Sequence, residues 1–376
     1  LTGSRWKKVS EAAEEIRREN RGKKDRTKWT GVWGKAQDMV MDMLTPEAYF
    51  HRLGKGGDEL FRQLRKAQDK QIVILNEVAE STRKSLENYD VKKAEETIYD
   101  VGGVKVSTAQ IINLYNLSRR KQALDHIGKG GVKPEGAVEK GKTLTYAEPI
   151  RDGSLQWVGE AISRLTEEDI RAAKAMQEIM AGPLAQYGNE ASMAVFGYQK
   201  FEEADYWPIK VNSNELQQSV EQKTKVKTPA NYGMTKQTQP QAANSVKLGS
   251  AFDVFAEHIT EMSTYAAFLG VMEDLRRIRN YQFRVQREDG SWEHTGENMG
   301  SLIERVMGTD GKSYWDNLMT QLAVGVKGQK VGRSYTGRLL GNFKASAIGA
   351  NLRVVIQQPT AILRAADMID PKYLTK

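Results

Sequence analysis

The sequence predicts a mostly α-helical protein, an elongated multi-helix assembly with two small β-hairpins. Apolar residues recur at helical spacing over 58–88 and 250–281, and a helix of about 30 residues would be about 45 Å long. Residues 97–106 and 283–292 each centre on a dipeptide typical of a tight hairpin turn. Hydrophobic residues make up 39% and charged residues 28%, a balance that suits an extended helical body with much exposed surface.

The composition limits the classes of site that this chain can carry. Its 376 residues include 56 Lys and Arg against 48 Asp and Glu, which gives a formal net charge of +8. This thin excess permits contact with nucleic acid or an anionic membrane without requiring either. The absence of cysteine excludes disulfides, thiol nucleophiles and cysteine-type zinc sites. No run approaches the roughly 18 apolar residues that a membrane span needs.

The chain divides into four predicted regions. Residues 1–56 form a basic N-terminal helical segment, 57–209 a helical domain with the first hairpin, and 249–376 a C-terminal helical domain with the second. Between these domains, residues 210–248 lose hydrophobic periodicity, which predicts a flexible excursion. Because the chain opens at Leu1 rather than at Met, we expect it to be a piece of a longer polypeptide whose other modules are its partners.

Capping residues predict where several helices begin. Ser107 or Thr108 caps a helix over residues 109–127. Thr166 and Asp169 resemble a capping box at the start of another helix. The other short helices are predicted at 4–20, 33–44, 154–164, 188–197, 298–308 and 313–326.

Two segments interrupt this helical pattern. Residues 132–153 are expected to be irregular because they contain two prolines and several glycines. Gly182-Pro183 should kink or interrupt the helix that Thr166 begins, because proline removes a backbone donor.

The helix predicted at 250–281 carries apolar residues on two sides. One row repeats at spacings of three and four residues and includes Phe252, Phe255 and Ile259. A second row lies on another side of the helix, so we expect other elements to pack against it twice. The second row is Phe268, Met272 and Leu275.

A stripe of small residues is predicted near the C-terminus, in a helix over 341–364 that Pro359 interrupts. Gly341, Ala345 and Gly349 recur every four residues and lie on one face, which lets another backbone approach closely. Polar residues on its flanks argue against a simple transmembrane helix. The stretch is therefore interpreted as a tightly packed central or interface helix, with membrane insertion after self-association as the alternative.

Two basic runs are candidates for contact with DNA or RNA. The N-terminal run is followed by Trp29 and Trp33, and cations interleaved with aromatic rings suit phosphates and bases. The alternative is a solvated linker anchored by the two tryptophans. The candidate residues are Arg17, Arg18, Arg21, Lys23, Lys24, Arg26, Lys28, Arg119, Arg120 and Lys121.

The sequence predicts no catalytic residue, metal site or cofactor. The chain has four histidines, and no HExxH pattern occurs. Glu257, His258 and Glu261 lie on about one helical turn, but their HxxE order has no second copy, unlike the paired ExxH motifs of di-iron bundles. We expect these three side chains to form a structural polar edge that faces away from the Phe255–Ile259 row.

Four segments together carry a resemblance to a known family. They are Val106 to Gly131, Gly188 to Ile209, His258 to Tyr265 and Ala347 to Ala361. In this order they resemble a helical region of the large polyvalent proteins of tailed bacteriophages and related mobile elements. Such proteins string enzymatic modules between helical spacers, and they are packaged with the genome and delivered into the host. Because nothing in this chain matches those enzymatic modules, the resemblance implies the structural or delivery part.

Three functions therefore stand as hypotheses. The first is a non-enzymatic region of a virion-associated protein that acts in genome packaging, ejection or protection of incoming DNA. Its location would be the phage virion and then the host bacterial cytoplasm, and it could self-associate. The second is a binding module that engages nucleic acid or a host protein such as a defence nuclease. The third is an enzyme whose site assembles from residues distant in sequence.

Overall fold

The computed structural model describes residues 2–23, 25, 46–136, 138–139, 142–143, 146, 148–210 and 244–324. Within these residues the protein is mostly α-helical with small two-stranded sheets, which confirms the predicted fold class. The helices are α1 (Thr2–Asn20), α2 (Pro46–His51), α3 (Lys55–Ser85), α4 (Val91–Glu96), α5 (Thr108–Ser118), α6 (Lys121–Gly130), α7 (Ser154–Ile162), α8 (Glu167–Ile179), α9 (Ala185–Phe196), α10 (Ala251–Arg279) and α11 (Met299–Val324). The strands are β1 (Ile98–Val101), β2 (Val104–Ser107), β3 (Val132–Pro134), β4 (Val138–Glu139), β5 (Lys142–Thr143), β6 (Val246–Leu248), β7 (Gln282–Gln286) and β8 (Trp292–Asn298).

The long helices α3 and α10 form the centre of the described fold. Both predicted apolar rows of α10 are buried, so the expectation that this helix is packed on two sides is confirmed. Its N-terminal half belongs to one apolar core and its C-terminal half to another. α3 passes from the second core to the first, so the two helices run antiparallel. Where they change cores, the Gln71 amide donates a buried 2.8 Å hydrogen bond to the Thr264 hydroxyl.

Each core draws side chains from several of the regions into which the sequence divides the chain. The first core combines α3 and α10 with α4 to α9 and with β6. The second core combines α1, α2, α11 and β7 with the other halves of the two long helices. The predicted region boundaries stay predictions, but α3 and α10 contribute to both cores.

The sequence predicts one helix at 109–127, and this prediction is wrong. α5 begins at the predicted cap, where Ser107 and Gln110 form a reciprocal capping box. The helix ends at Ser118, and α6 starts afresh because Arg120 has extended backbone angles of φ −108° and ψ 119°. The Arg120 side chain is held by residues far along the chain, and this tertiary attachment overrides the local preference for helix.

The interruption predicted at Gly182-Pro183 is confirmed. Thr166 and Asp169 form the predicted capping box of α8. Residues Met180–Leu184 then form one widened π-helical turn that contains Pro183, and α9 follows directly. The wider turn accommodates the missing proline N–H and its bulky ring without ending the helical path.

Both predicted hairpins are present, and the described residues contain two further strand pairs that the sequence does not predict. β1 pairs with β2 around Gly102-Gly103, and β7 pairs with β8 around Gly290. One additional pair is parallel and joins β3 to β6, and the other is antiparallel and joins β4 to β5. The irregular assignment of 132–153 is therefore wrong for β3, β4 and β5. The flexible assignment of 210–248 is wrong for β6, whose Val246 and Leu248 are buried. Residues 211–243 lie outside the described part.

α11 corresponds to the two short helices predicted at 298–308 and 313–326. Its backbone breaks at Gly308, which adopts φ 81° and ψ 177°, a combination that favours glycine. The predicted helix at 33–44 and the small-residue stripe of Gly341, Ala345 and Gly349 lie outside the described residues. None of the described helices combines the length and the apolar content that crossing a bilayer requires.

Two helical glycines should respond oppositely to substitution by alanine. A Cβ at Gly188 would lie 2.7 Å from the Met262 sulfur and 2.8 Å from the Phe201 ring, whereas a Cβ at Gly159 meets nothing within 4 Å. We expect Gly188→Ala to lower the free energy of unfolding by about 1–3 kcal/mol through overpacking. Gly159→Ala should raise it by about 0.5–1 kcal/mol because alanine favours a helix. Urea denaturation measures both, and a gain at Gly188 would contradict the close packing of α9 on α10.

Candidate functional site

Of the described residues of the N-terminal basic run, Arg17 packs against the protein, whereas Arg18, Arg21 and Lys23 are exposed. The Arg17 guanidinium lies 4.8 Å from the centre of the Phe283 ring and 3.5 Å from a Glu297 oxygen. Lys23 donates a 2.8 Å hydrogen bond to the Arg52 carbonyl. Arg18 is exposed and pairs with Glu15, and Arg21 is exposed, whereas Lys24, Arg26 and Lys28 lie outside the described residues.

The second basic run lies at the junction of α5 and α6 rather than inside one helix. Arg120 is 7% exposed, and its guanidinium donates two hydrogen bonds, of 3.0 and 2.6 Å, to the Glu203 carboxylate. Arg119 donates to Asp205 at 2.7 Å, and this pair is more exposed. Lys121 is exposed at the start of α6. A phosphate could contact the buried Arg120 guanidinium only by displacing Glu203, whereas Arg119 is more exposed and already pairs with Asp205.

Both carboxylates belong to a segment without helix or strand that we call the strap, residues 203–210. Trp207 is the anchor of the strap: it is fully buried, and its indole N–H donates a 2.8 Å hydrogen bond to the Asn113 side chain. The Trp207 carbonyl accepts a 2.7 Å hydrogen bond from Arg120. Further along the strap, the Lys210 carbonyl accepts from the Lys247 N–H at 2.8 Å, which joins the strap to β6.

The strap lies beside a row of buried amide side chains on α5. Gln110, Asn113 and Asn116 recur every three residues, and each donates to a backbone carbonyl of another segment. Gln110 bonds to the Leu248 carbonyl and Asn113 to the Gly249 carbonyl. This row was not identified from the sequence, although three amides at constant spacing in an otherwise apolar helix were a readable signal.

His258 lies beneath the strap and is fully buried. The expected polar edge is therefore wrong for this residue, because the strap covers the side of α10 that the sequence leaves open. The Tyr206 ring lies 5.1 Å from the imidazole, and neither ring nitrogen has a hydrogen-bond partner. Burial, with a smaller contribution from the Lys210 ammonium, lowers the pKa of His258 from 6.5 to about 3.

The two glutamates next to His258 interact with the strap rather than with the imidazole. Glu257 is exposed, Glu261 is half-buried, and their carboxylates lie 3.3 and 3.9 Å from the Lys210 ammonium. Among the described residues, no group of three or more histidine and carboxylate side chains has the geometry of a metal site. The convergence of Glu257, His258 and a second carboxylate that an enzyme would need is not formed, because the carboxylates meet at an amine.

This arrangement holds the fold together rather than presenting reactive groups. The imidazole is neutral at physiological pH and sealed from solvent, so in this conformation it cannot reach a substrate. The best-defined polar cluster of the described chain is therefore a structural junction of α5, α10, β6 and the strap.

Comparison of the chain with models of protein families, with curated proteins and with solved structures gives no match.

Removing the charge of Glu203 should destabilise the fold more than removing that of Asp205. Glu203→Gln leaves the buried Arg120 guanidinium without its counter-ion, and we expect the free energy of unfolding to fall by about 1–3 kcal/mol, since Glu203 is partly exposed. Asp205→Asn alters the neighbouring exposed pair and should cost less than about 1 kcal/mol. Equal losses in urea denaturation would show that the Arg120 pair does not hold the strap.

Proposed function

We propose that this chain is a non-enzymatic helical module of a virion-associated protein of a tailed bacteriophage or related mobile element. The module travels with the genome into the host bacterial cytoplasm and acts in packaging, ejection or protection of incoming DNA. It works as part of a longer polypeptide. The observation that carries this proposal is the structural use of the segments on which the resemblance rests, three of which lie within the described residues.

These three segments meet one another in the first core. Residues from 106–131 provide the amide row of α5, residues from 188–209 provide α9 and most of the strap, and 258–265 is the part of α10 beneath them. Their polar side chains are occupied by internal contacts. The Ser192 and Tyr265 hydroxyls, for example, lie 2.9 Å apart in a buried hydrogen bond between α9 and α10.

Asn189 provides a second example of this internal use. Its side-chain oxygen accepts hydrogen bonds of 3.0 and 2.8 Å from the N–H groups of Lys200 and Phe201, and its amide donates to the Phe201 carbonyl at 2.7 Å. The side chain thereby fixes the turn that follows α9. The polar side chains of these segments form hydrogen bonds within the protein and are therefore not free to bind a substrate. This use of the side chains supports a structural or delivery role.

Mass spectrometry of particles purified from the element that encodes this chain tests the virion proposal. We expect peptides of the chain at a stoichiometry comparable to that of minor structural proteins, protected from external protease until the particles are opened. Host proteins from the same lysate serve as the contamination control. Absence of the chain from intact particles that contain the other structural proteins would refute the proposal.

A second candidate function is binding to nucleic acid, and a surface of α3 favours it. Arg65, Lys66 and Lys70 are exposed on one face of this helix, and no ion-pair partner for them is found among the described residues. Arg62 extends the same face, where it pairs with Glu59 at 2.6 Å. Unlike Arg17 and Arg120, these three cations can meet a phosphate without breaking an internal contact.

Reversal of these three charges tests the second candidate. We expect the wild-type chain to bind DNA or RNA in a salt-dependent manner, and Arg65→Glu, Lys66→Glu and Lys70→Glu together to weaken binding at least tenfold. The matched control reverses Lys8, Lys93 and Lys174, which are exposed and scattered but change the net charge equally. Fluorescence anisotropy at several salt concentrations measures the affinities. If both triple variants weaken binding equally, the α3 surface is not a specific site, and the binding reflects the net charge of the chain.

A further inference from the structure

The imidazole of His258 is buried at a position where no hydrogen-bond acceptor of the described residues lies within reach of its ring nitrogens. Neither ring nitrogen has a hydrogen-bond partner, and its closest aromatic neighbour is Tyr206 of the strap. Burial of a neutral imidazole here costs only the free energy of its lost hydrogen bonds. Burial of an imidazolium costs much more, because no opposite charge compensates it.

The charged groups around this imidazole do not offer it a counter-ion. From the strap, the Lys210 ammonium faces it, and this ammonium already engages Glu257 and Glu261 of α10. From the junction of α5 and α6, Arg120 lies over the Tyr206 ring at 5.4 Å. From β6, Lys247 bonds to the strap backbone, and its ammonium pairs with Glu135. Of these groups, the Lys210 ammonium acts on the imidazole, and its positive charge disfavours a proton on His258.

The cover over His258 is a short segment with polar contacts at both ends and apolar contacts between them. Glu203 and Lys210, near its two ends, form ion pairs that are partly exposed to solvent. The Gln177 amide donates a 3.0 Å hydrogen bond to the Asp205 carbonyl. Trp207 is fully buried, and Tyr206 and Ile209 pack against the first core beside it. Because the segment lies outside helices and sheets, it can open locally while the helices beneath it stay folded.

We propose that the strap is a proton-operated cover: protonation of His258 releases residues 203–210 from α10 and exposes the surface between α5 and α10. The cover is closed at neutral pH and opens on mild acidification, while the helical cores stay folded. Opening exposes the pocket that Trp207 fills, the side-chain oxygen of Asn113 on α5 and the imidazole itself.

The direction of the pH dependence follows from proton linkage. In the closed state, burial lowers the pKa of His258 to about 3, and in the open state the exposed imidazole returns to its ordinary value of 6.5. The closed state therefore binds fewer protons, so its stability is complete above pH 6.5 and declines as the pH falls toward 3. Between pH 7.5 and pH 5, these two values raise the ratio of open to closed strap by about thirtyfold.

Hydrogen exchange of the whole chain tests this proposal. Exchange rates of peptides that cover 203–210, divided by the intrinsic rates at each pH, should show protection that falls about thirtyfold between pH 7.5 and pH 5. A reference peptide from residues 302–307 of α11, in the second core, should keep its protection. In His258→Phe, which fills the same space beside Tyr206 without a titrating group, protection of the strap should stay constant.

Two further measurements keep the test decisive. His51→Gln, which removes a 76% exposed imidazole, should retain the wild-type pH response of the strap. If His258→Phe does not fold, carbon-detected NMR of the wild-type imidazole replaces it, and the closed state should stay neutral at pH 5. Three results would each overturn the proposal. The protection of the strap could stay constant with pH, its pH response could persist in His258→Phe, or His258 could titrate near 6.5 while the strap is closed.

Discussion

The fold depends on α10 being apolar around most of its circumference. Nineteen of its 29 residues are buried, and they point to more than one side of the helix. A helix of this kind is stable in water only when other elements surround it. α3 covers it along one side, α9 and the strap cover its N-terminal half, and α1 and α11 cover its C-terminal half. The two cores are therefore consequences of one helix that needs burial along its whole length.

Segments without regular structure are attached to this helical body by buried side-chain donors. Backbone carbonyls outside helices and sheets need hydrogen-bond partners when water is excluded. The amides of Gln110 and Asn113 satisfy the carbonyls of Leu248 and Gly249, and the Arg120 guanidinium satisfies that of Trp207. Each attachment is directional, so it fixes where the segment lies, which apolar packing alone does not. The buried polar residues of α5 thereby determine how the strap and β6 meet α10.

The sequence predicted correctly those features that depend on residues close together in the chain. The predictions failed where the structure depends on contacts between residues far apart in the chain. The helical periodicity of α3 and α10, the capping box at Thr166 and the interruption at Pro183 all depend on neighbours within a few residues, so they were readable. The break at Arg120 depends on Glu203, 83 positions further along the chain. The strand β6 is only three residues long, too short for its alternation to stand out. Burial of His258 depends on a strap that has no periodicity.

The same contacts decide which basic residues could serve a polyanion. A phosphate that binds Arg120 must replace a bidentate carboxylate and also the Trp207 carbonyl, so the gain from one contact is offset by the loss of three hydrogen bonds. Arg17 is likewise packed on Phe283. The basic residues of this chain are thus not equivalent. Arg17 and Arg120 fix parts of the fold, whereas Arg65, Lys66 and Lys70 on α3 are exposed to solvent. Net charge alone cannot distinguish the two sets, because the distinction arises only when distant acidic residues fold against some of the cations.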